Sequence, residues 1–286
     1  MTATLGLPIA GTGDPAGVLA TLDPSARDED TYDTPRDWMA VIKALIEDSI
    51  TSAPRSLQRT IGPSEIGNPC DHCLAARLAG WQKTENSPAW LPFIGTCVHE
   101  HYERLFKKLN EKGVLESMQE ARVTVGQIGG HDITGSTDLY LPGEPGNPVM
   151  SGMTIDWKIV GKSKLDKVKA HQHPGKQYEI QAHLYAKGWN AAGHPTSHVC
   201  VYFQPRNATS LDQGYVWISE YDPQIAQAAL DRANHINDTL TALETFGVQA
   251  RDEWIHGLPR DPDCWDCARY SDYPARSDLD AAINLH

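Results

Sequence analysis

Two aspartates and a lysine are placed so that they can meet. Asp138 lies in the run G-S-T-D-L-Y-L, and Asp156 and Lys158 lie in the run M-T-I-D-W-K-I-V. Both runs alternate apolar and polar residues, and Pro142, Gly143, Pro145, Gly146 and Pro148 fall between them, which predicts a hairpin. Period-two geometry puts Asp156 and Lys158 on one face of their strand, and hairpin pairing can bring Asp138 beside them. Two carboxylates and an ammonium sharing a small site suit a hard divalent cation, with the lysine left to orient or activate a water against a phosphate.

Such a site needs elements to position it. Gly95 to Val114 carries G-T-C-V-H-E-H-Y-E-R-L-F with helical spacing, so that His99 and Glu103 share one face, near Val98, Tyr102 and Phe106. A histidine aimed at the hairpin could add a nitrogen ligand, with Glu103 supporting it from behind; alone, such a histidine is as well read as structural. Ser117 to Val125 alternates as a strand, Gly126 to Gly130 turns, and His131 to Leu141 is the strand that holds Asp138. Downstream, Gln177, Gln181 and Tyr185 recur every four residues on one helical face. Amides and a phenol there can hydrogen-bond a phosphate, a sugar or the lysine; an ordinary polar surface is the alternative. Ser197 to Pro205 and Gly214 to Tyr221 read as the last strands, and about Pro223 to Phe246 as a helix.

Six cysteines divide into two kinds. Cys70 and Cys73 form one C-x-x-C, Cys264 and Cys267 another, and Cys97 and Cys200 stand alone in apolar contexts, where they read as small buried residues. Two C-x-x-C units in an intracellular chain point to a metal or cluster rather than to disulfides, since four thiolates satisfy either tetrahedral zinc or an iron–sulfur cluster. His72, between the first pair, reads as an exposed loop histidine, with metal ligation as the alternative.

The chain has 286 residues and a formal net charge of −12, which argues against a general nucleic-acid coat. Charge is uneven, however. Asp28, Glu29, Asp30 and Asp33 load the front, and Asp261, Asp263, Asp266, Asp272, Asp278 and Asp280 load the back. Between them Lys162, Lys164, Lys167, Lys169 and Lys176 cluster with His171 and His173 directly after the hairpin. A local basic strip beside paired carboxylates fits a phosphate-backbone substrate, and a solvated helix face is the plain alternative. No apolar run is long enough for a membrane span, and the first twenty residues lack the pattern of a signal peptide, so a cytoplasmic protein is expected.

The ordered set G-x-x-x-H-E-x-x-E, G-x-x-D, D-x-K and Q-x-x-x-Y resembles the RecB-like branch of the PD-(D/E)XK nucleases. Here it is carried by Gly95, His99, Glu100 and Glu103, then Gly135 and Asp138, then Asp156 and Lys158, then Gln181 and Tyr185. Each motif is weak alone; their order and spacing are specific, and together they cover roughly residues 64–267. The resemblance extends to the cysteines, because AddB-type and CRISPR-adaptation exonucleases bracket the nuclease core with four cysteines holding a 4Fe-4S cluster. Those relatives generally place one cysteine before the core and three after it, whereas here the split is two and two. A 4Fe-4S cluster at Cys70, Cys73, Cys264 and Cys267 is therefore what the resemblance implies, with Zn²⁺ as the alternative.

The resemblance implies an α/β fold with a central mixed sheet flanked by helices and a small cysteine-bound subdomain made from the two flanks. The corresponding domains are a flexible arm over 1–34, a helical flank over 35–94, a nuclease core over 95–248 and a C-terminal flank over 249–286. His99, Asp138, Asp156 and the backbone carbonyl of Trp157 would hold Mg²⁺ or Mn²⁺. Lys158 would poise a water, Gln181 and Tyr185 would position the strand or the lysine, and Lys162, Lys164, Lys167, Lys169, Lys176 and Gln177 would face DNA. The activity implied is a bacterial or phage DNA exonuclease acting on free ends, in recombination, replication or phage DNA processing. Two alternatives stand beside it: a CRISPR-adaptation nuclease trimming spacer precursors with an integrase partner, and a metal-cluster nucleic-acid-binding module that does not cleave.

Overall fold

The first strands of the sheet are joined by two glycines that only a tight hairpin needs. Gly129 (φ 55°) and Gly130 (φ 79°) close Ile128 onto His131, the two-residue turn in which both central residues have positive φ. The computed structural model describes residues 35–51, 61–84, 90–143, 151–262, 264 and 266–272, with nothing said of the side chains of Asp37 and Thr51. The arm expected over 1–34 and most of the turn between the Asp138 and Asp156 strands lie outside the described residues.

Two units are distinguished: one contains helix α1 (Pro35–Thr51) and residues 90–93, the other everything from residue 61 to 84 and from 94 onward that is described. The second unit runs through α2 (Pro63–Ile66), α3 (Asp71–Leu78), the greater part of α4 (Trp90–Glu111), β1 (Met118–Ile128), β2 (His131–Pro142), β3 (Gly152–Val160), α5 (Lys162–His171), α6 (Lys176–Ala191), β4 (His198–Pro205), β5 (Tyr215–Glu220), α7 (Pro223–Glu244) and α8 (Val248–His256). The five strands form one sheet in sequence order, antiparallel except for the parallel pair β3 and β4. A parallel pair needs a long crossover, and α5 with α6 supplies it. The expected mixed sheet flanked by helices is therefore present. Strand β1 runs to Ile128, three residues beyond the expected end, and the lysine-rich segment is itself a helix, α5.

Alternation along the strands sorts the side chains. Val199, Val201 and Phe203 of β4 pack under Leu165 and Val168 of α5 and Ala182 and Ala186 of α6. On the other face Leu139, Ile155, Trp157 and Cys200 meet Tyr102 and Phe106 of α4, with Phe106 stacked on Trp157 at a centroid distance of 6.0 Å. The largest cluster joins β1 to Leu184 and Trp189 of α6 and to an alanine-rich stripe of α7 (Ala226, Ala229, Ala233), and it continues into α3 and the second cysteine pair. The cysteine-bearing flanks thus share a core with the sheet.

Candidate active site and metal centre

Strands β2 and β3 pair only from Pro142↔Gly152 to Leu139↔Ile155. Beyond that point β2 continues against β1 and β3 continues against β4, so the sheet forks. Asp138 and Asp156 are the first residues past the last pair. The backbone N–H of Trp157, which would otherwise lack a ladder partner, donates to Asp138 Oδ2 at 2.7 Å. The other oxygen, Oδ1, lies 3.0 Å from His99 Nδ1.

A third carboxylate arrives from β1. The pairs Gln119↔Leu139 and Ala121↔Thr137 put Glu120 across from Asp138, and its Oε1 lies 4.0 Å from His99 Nδ1. Glu120 has φ 47°, a left-handed conformation unusual for a residue with a side chain. Donor atoms of His99, Glu120 and Asp138 all fall within 4.8 Å of one another, which suits one cation. Sequence patterning missed Glu120, which reads there as one polar residue of an alternating strand.

Asp156 makes a separate set of contacts. Its Oδ2 is 2.7 Å from Lys158 Nζ, and its Oδ1 accepts from Gln181 Nε2 at 3.2 Å. The same nitrogen lies 3.5 Å from the Tyr185 hydroxyl. The Lys158 ammonium also sits 5.1 Å from the centre of the Tyr178 ring, and Lys164 Nζ lies 5.0 Å from it, a neighbour the motif pattern does not mark. Burial pushes the Asp156 carboxyl up to about 6; Lys158 opposes that shift, and the charge of Asp138 adds to it. For Lys158, burial disfavours the charge, but Asp156 and Asp138 outweigh it and hold the ammonium above its ordinary range. His99 follows the same logic, with burial opposed and outweighed by its hydrogen bond to Asp138. Burial pushes the Tyr185 phenol up.

Gly135 explains the glycine of its motif. A Cβ there would meet the Pro63 ring at 2.8 Å and Tyr185 Cε1 at 2.9 Å, so the bare backbone lets α2 and α6 close over the fork. Two further residues singled out by the sequence make contacts of their own. Glu103 is bonded to Lys107 at 2.6 Å on the surface of α4, and Gln177 donates to the Ser64 carbonyl at 3.0 Å. Of the lysine strip, Lys162 pairs with Asp166, Lys169 donates to the Gln213 carbonyl and Lys176 pairs with Glu179.

The two C-x-x-C units meet. Cys70 Sγ and Cys73 Sγ each lie 3.4 Å from Cys267 Sγ, and Cys73 Sγ lies 3.6 Å from Cys264 Sγ. Cys70 precedes α3 and Cys73 stands in its first turn, while Cys267 begins a short 3-10 turn (Cys267–Arg269). The hydrogen bond from Cys73 pulls the Cys70 thiol down to about 4 against the opposing effect of burial. His72 is not exposed: it is fully buried, its Nε2 2.8 Å from Asp272 Oδ2. That same oxygen lies 2.9 Å from His256 Nδ1 and accepts from Arg260 at 2.6 Å, so one carboxylate ties α3 to the chain after α8. Cys200 is buried as expected, but Cys97 is exposed on α4. A cavity of about 210 Å³ beside Cys73 is lined by Arg77, Lys83 and Arg269, whose charges are met by Glu65 and Asp266.

No family model matches the chain, and no curated protein matches it. Among solved structures it is similar to an alkaline exonuclease (LHK-Exo) from Laribacter hongkongensis, with 11% identity, 68% of this chain and 95% of that chain covered, and a TM-score of 0.44. The complex of LHK-Exo with dAMP gives 12% identity, the same coverage and a TM-score of 0.44. A candidate exonuclease from Eubacterium rectale gives 17% identity over 77% of this chain and 89% of that chain, with a TM-score of 0.39.

Proposed function

We propose that the chain is a divalent-metal-dependent deoxyribonuclease of the RecB-like PD-(D/E)XK kind, an exonuclease acting on free DNA ends. The observation that carries this reading is the convergence at the fork: Asp138 of one strand, Asp156 and Lys158 of the next, and His99 of α4 in contact with Asp138. Pure binding of a phosphate has no use for paired carboxylates, whereas phosphodiester hydrolysis with a metal ion does.

His99, Glu120 and Asp138 have the donor set and spacing for Mg²⁺ or Mn²⁺, and like-charged residues directly opposite across strands are unfavourable without a cation between them. Asp156, whose oxygens are held by Lys158 and Gln181, and the Trp157 carbonyl would be its further ligands. The Trp157 N–H points into the fork, and the carbonyl of the same strand residue projects to the same side. A bound ion supplies Lewis acidity, making water nucleophilic near neutral pH and offsetting charge on the phosphate oxygens.

Lys158 keeps its proton on Nζ at neutral pH, since Asp156 and Asp138 both favour the ammonium. It therefore orients the attacking water and a phosphate oxygen by donating hydrogen bonds. Gln181 holds Asp156 through its amide nitrogen and leaves its buried Oε1 without a hydrogen-bond partner among the described residues. Lys164 shares the Tyr178 ring with Lys158, and it contacts the DNA backbone. The cysteine centre holds the two flanks together, and the enzyme serves recombination, replication or phage DNA processing in the cytoplasm.

The test is digestion of end-labelled linear and covalently closed circular DNA, single- and double-stranded, with Mg²⁺, Mn²⁺ or EDTA. Metal-dependent loss of linear DNA alone is expected. Cleavage of circles would make the enzyme an endonuclease, and tight binding without cleavage of any substrate would defeat the reading.

A further inference from the structure

The cubane that the family resemblance implies does not fit the sulfur positions. We infer that Cys70, Cys73, Cys264 and Cys267 hold a single tetrahedral zinc ion and not a 4Fe-4S cluster. The inference is independent of what the fork does.

Spacing decides between the two. Around one zinc ion with Zn–S bonds of about 2.3 Å, the sulfurs occupy the corners of a tetrahedron whose edge is about 1.6 times the bond, or ~3.8 Å. The sulfur contacts here are 3.4, 3.4 and 3.6 Å, and all four atoms lie within 4.8 Å of one another. In a cubane each thiolate binds its own iron, so two sulfurs are separated by two iron–sulfur bonds and an iron–iron gap rather than by the edge of one coordination shell. The four sulfurs here enclose room for one ion.

The surroundings fix that spacing. Leu74, Ala75 and Ala76, which follow Cys73 on α3, are buried to 1% exposure or less and belong to the main core. The Cys70 N–H donates to Asn68 Oδ1 at 2.9 Å, while Arg232 grips both the Asn68 carbonyl (2.8 Å) and Asp71 (2.7 Å). On the opposite side Asp272 binds His72, His256 and Arg260. Opening the sulfurs to cubane dimensions would push α3 into its own core and break these bonds. The ligand pattern agrees, because paired C-x-x-C units are a frequent donor set of structural zinc sites.

The experiment is metal and sulfide analysis of the full chain, purified anaerobically from cells supplied with both iron and zinc. One zinc per chain, no acid-labile sulfide and no visible absorption are expected. Cobalt exchanged into the site should show the ligand-field and charge-transfer bands of a tetrahedral thiolate site. An Asp138→Asn chain should retain its zinc, since the fork supplies none of the sulfurs. Iron and sulfide in equal amounts, four of each per chain, would overturn the inference. So would a single iron, a metal-free chain with all its thiols reactive, or zinc lost with Asp138→Asn.

Discussion

Glu120 stands across from Asp138 on the neighbouring strand, and His99 Nδ1 lies 3.0 Å from the aspartate and 4.0 Å from the glutamate. The left-handed backbone at Glu120 costs on the order of 1–3 kcal/mol and persists only where surrounding structure enforces it. Strain that brings a third carboxylate to a histidine and an aspartate is understandable if a cation uses it.

Glu120→Gln should therefore weaken Mn²⁺ binding by roughly 10- to 100-fold, the range for losing a group that supports a metal site. Stability without metal should hold or rise, because one of two facing charges has gone. Calorimetric titration with Mn²⁺, alongside melting in EDTA, measures both. Unchanged affinity would remove Glu120 from the site.

The Asp156–Lys158 pair makes stability and chemistry separable. Lys158→Met leaves a nearly buried carboxylate without its cation and should cost about 3–5 kcal/mol, as for other buried pairs broken on one side. Asp156→Asn combined with Lys158→Met removes both charges and should recover most of that loss while cleavage stays absent. Denaturant midpoints and digestion of linear DNA read the two properties, and a double variant that cleaves would refute the assigned roles.

Gly135→Ala should destabilise the fold by about 1–3 kcal/mol, since its methyl group would overlap the Pro63 and Tyr185 side chains. Cleavage should fall as well, because Tyr185 is displaced from Gln181. A variant as stable as the parent would mean that α2 and α6 yield at no cost.

How much of this could be read beforehand follows from how local each cause is. Alternation and turn glycines marked the strands, and the motif spacing singled out Asp138, Asp156, Lys158, Gln181 and Tyr185, which the fold brings into one neighbourhood. Glu120 was illegible for a geometric reason. Counting back from the Gly129–Gly130 turn puts Ala121 opposite Asp138, and only the register shift between Thr124 and Gly126 moves Glu120 into that place. His72 was misread because its partner Asp272 is 200 residues away. Cys97 has an apolar sequence context but lies on the outward side of α4, which helical phase alone does not reveal. In the lysine strip the pairings of Lys162 with Asp166 and of Lys176 with Glu179 follow helical spacing, whereas the partner of Lys169, the Gln213 carbonyl, lies 44 residues on.

His183 should set a pH dependence of its own. It is buried to 1% exposure on α6, and its Nδ1 accepts the backbone N–H of Asp222 at 3.1 Å, a bond that protonation would abolish. Burial pushes its pKa below the usual value, and the charges of Glu179 and Asp222 offset this only in part. A histidine with a depressed folded pKa binds its proton more readily in the unfolded chain. Its stabilising contribution is therefore complete above about pH 6.5 and declines as pH falls from there through the folded pKa. Asparagine offers an acceptor near the position of Nδ1 but does not titrate, so His183→Asn should lose less stability than the parent between about pH 8 and about pH 5.5. The comparison is of the pH-induced change and not of absolute stability, which the smaller side chain lowers at both ends. Equal losses in the two chains would show that His183 titrates equally in the folded and unfolded states, and the buried bond to Asp222 would then have no part in acid sensitivity.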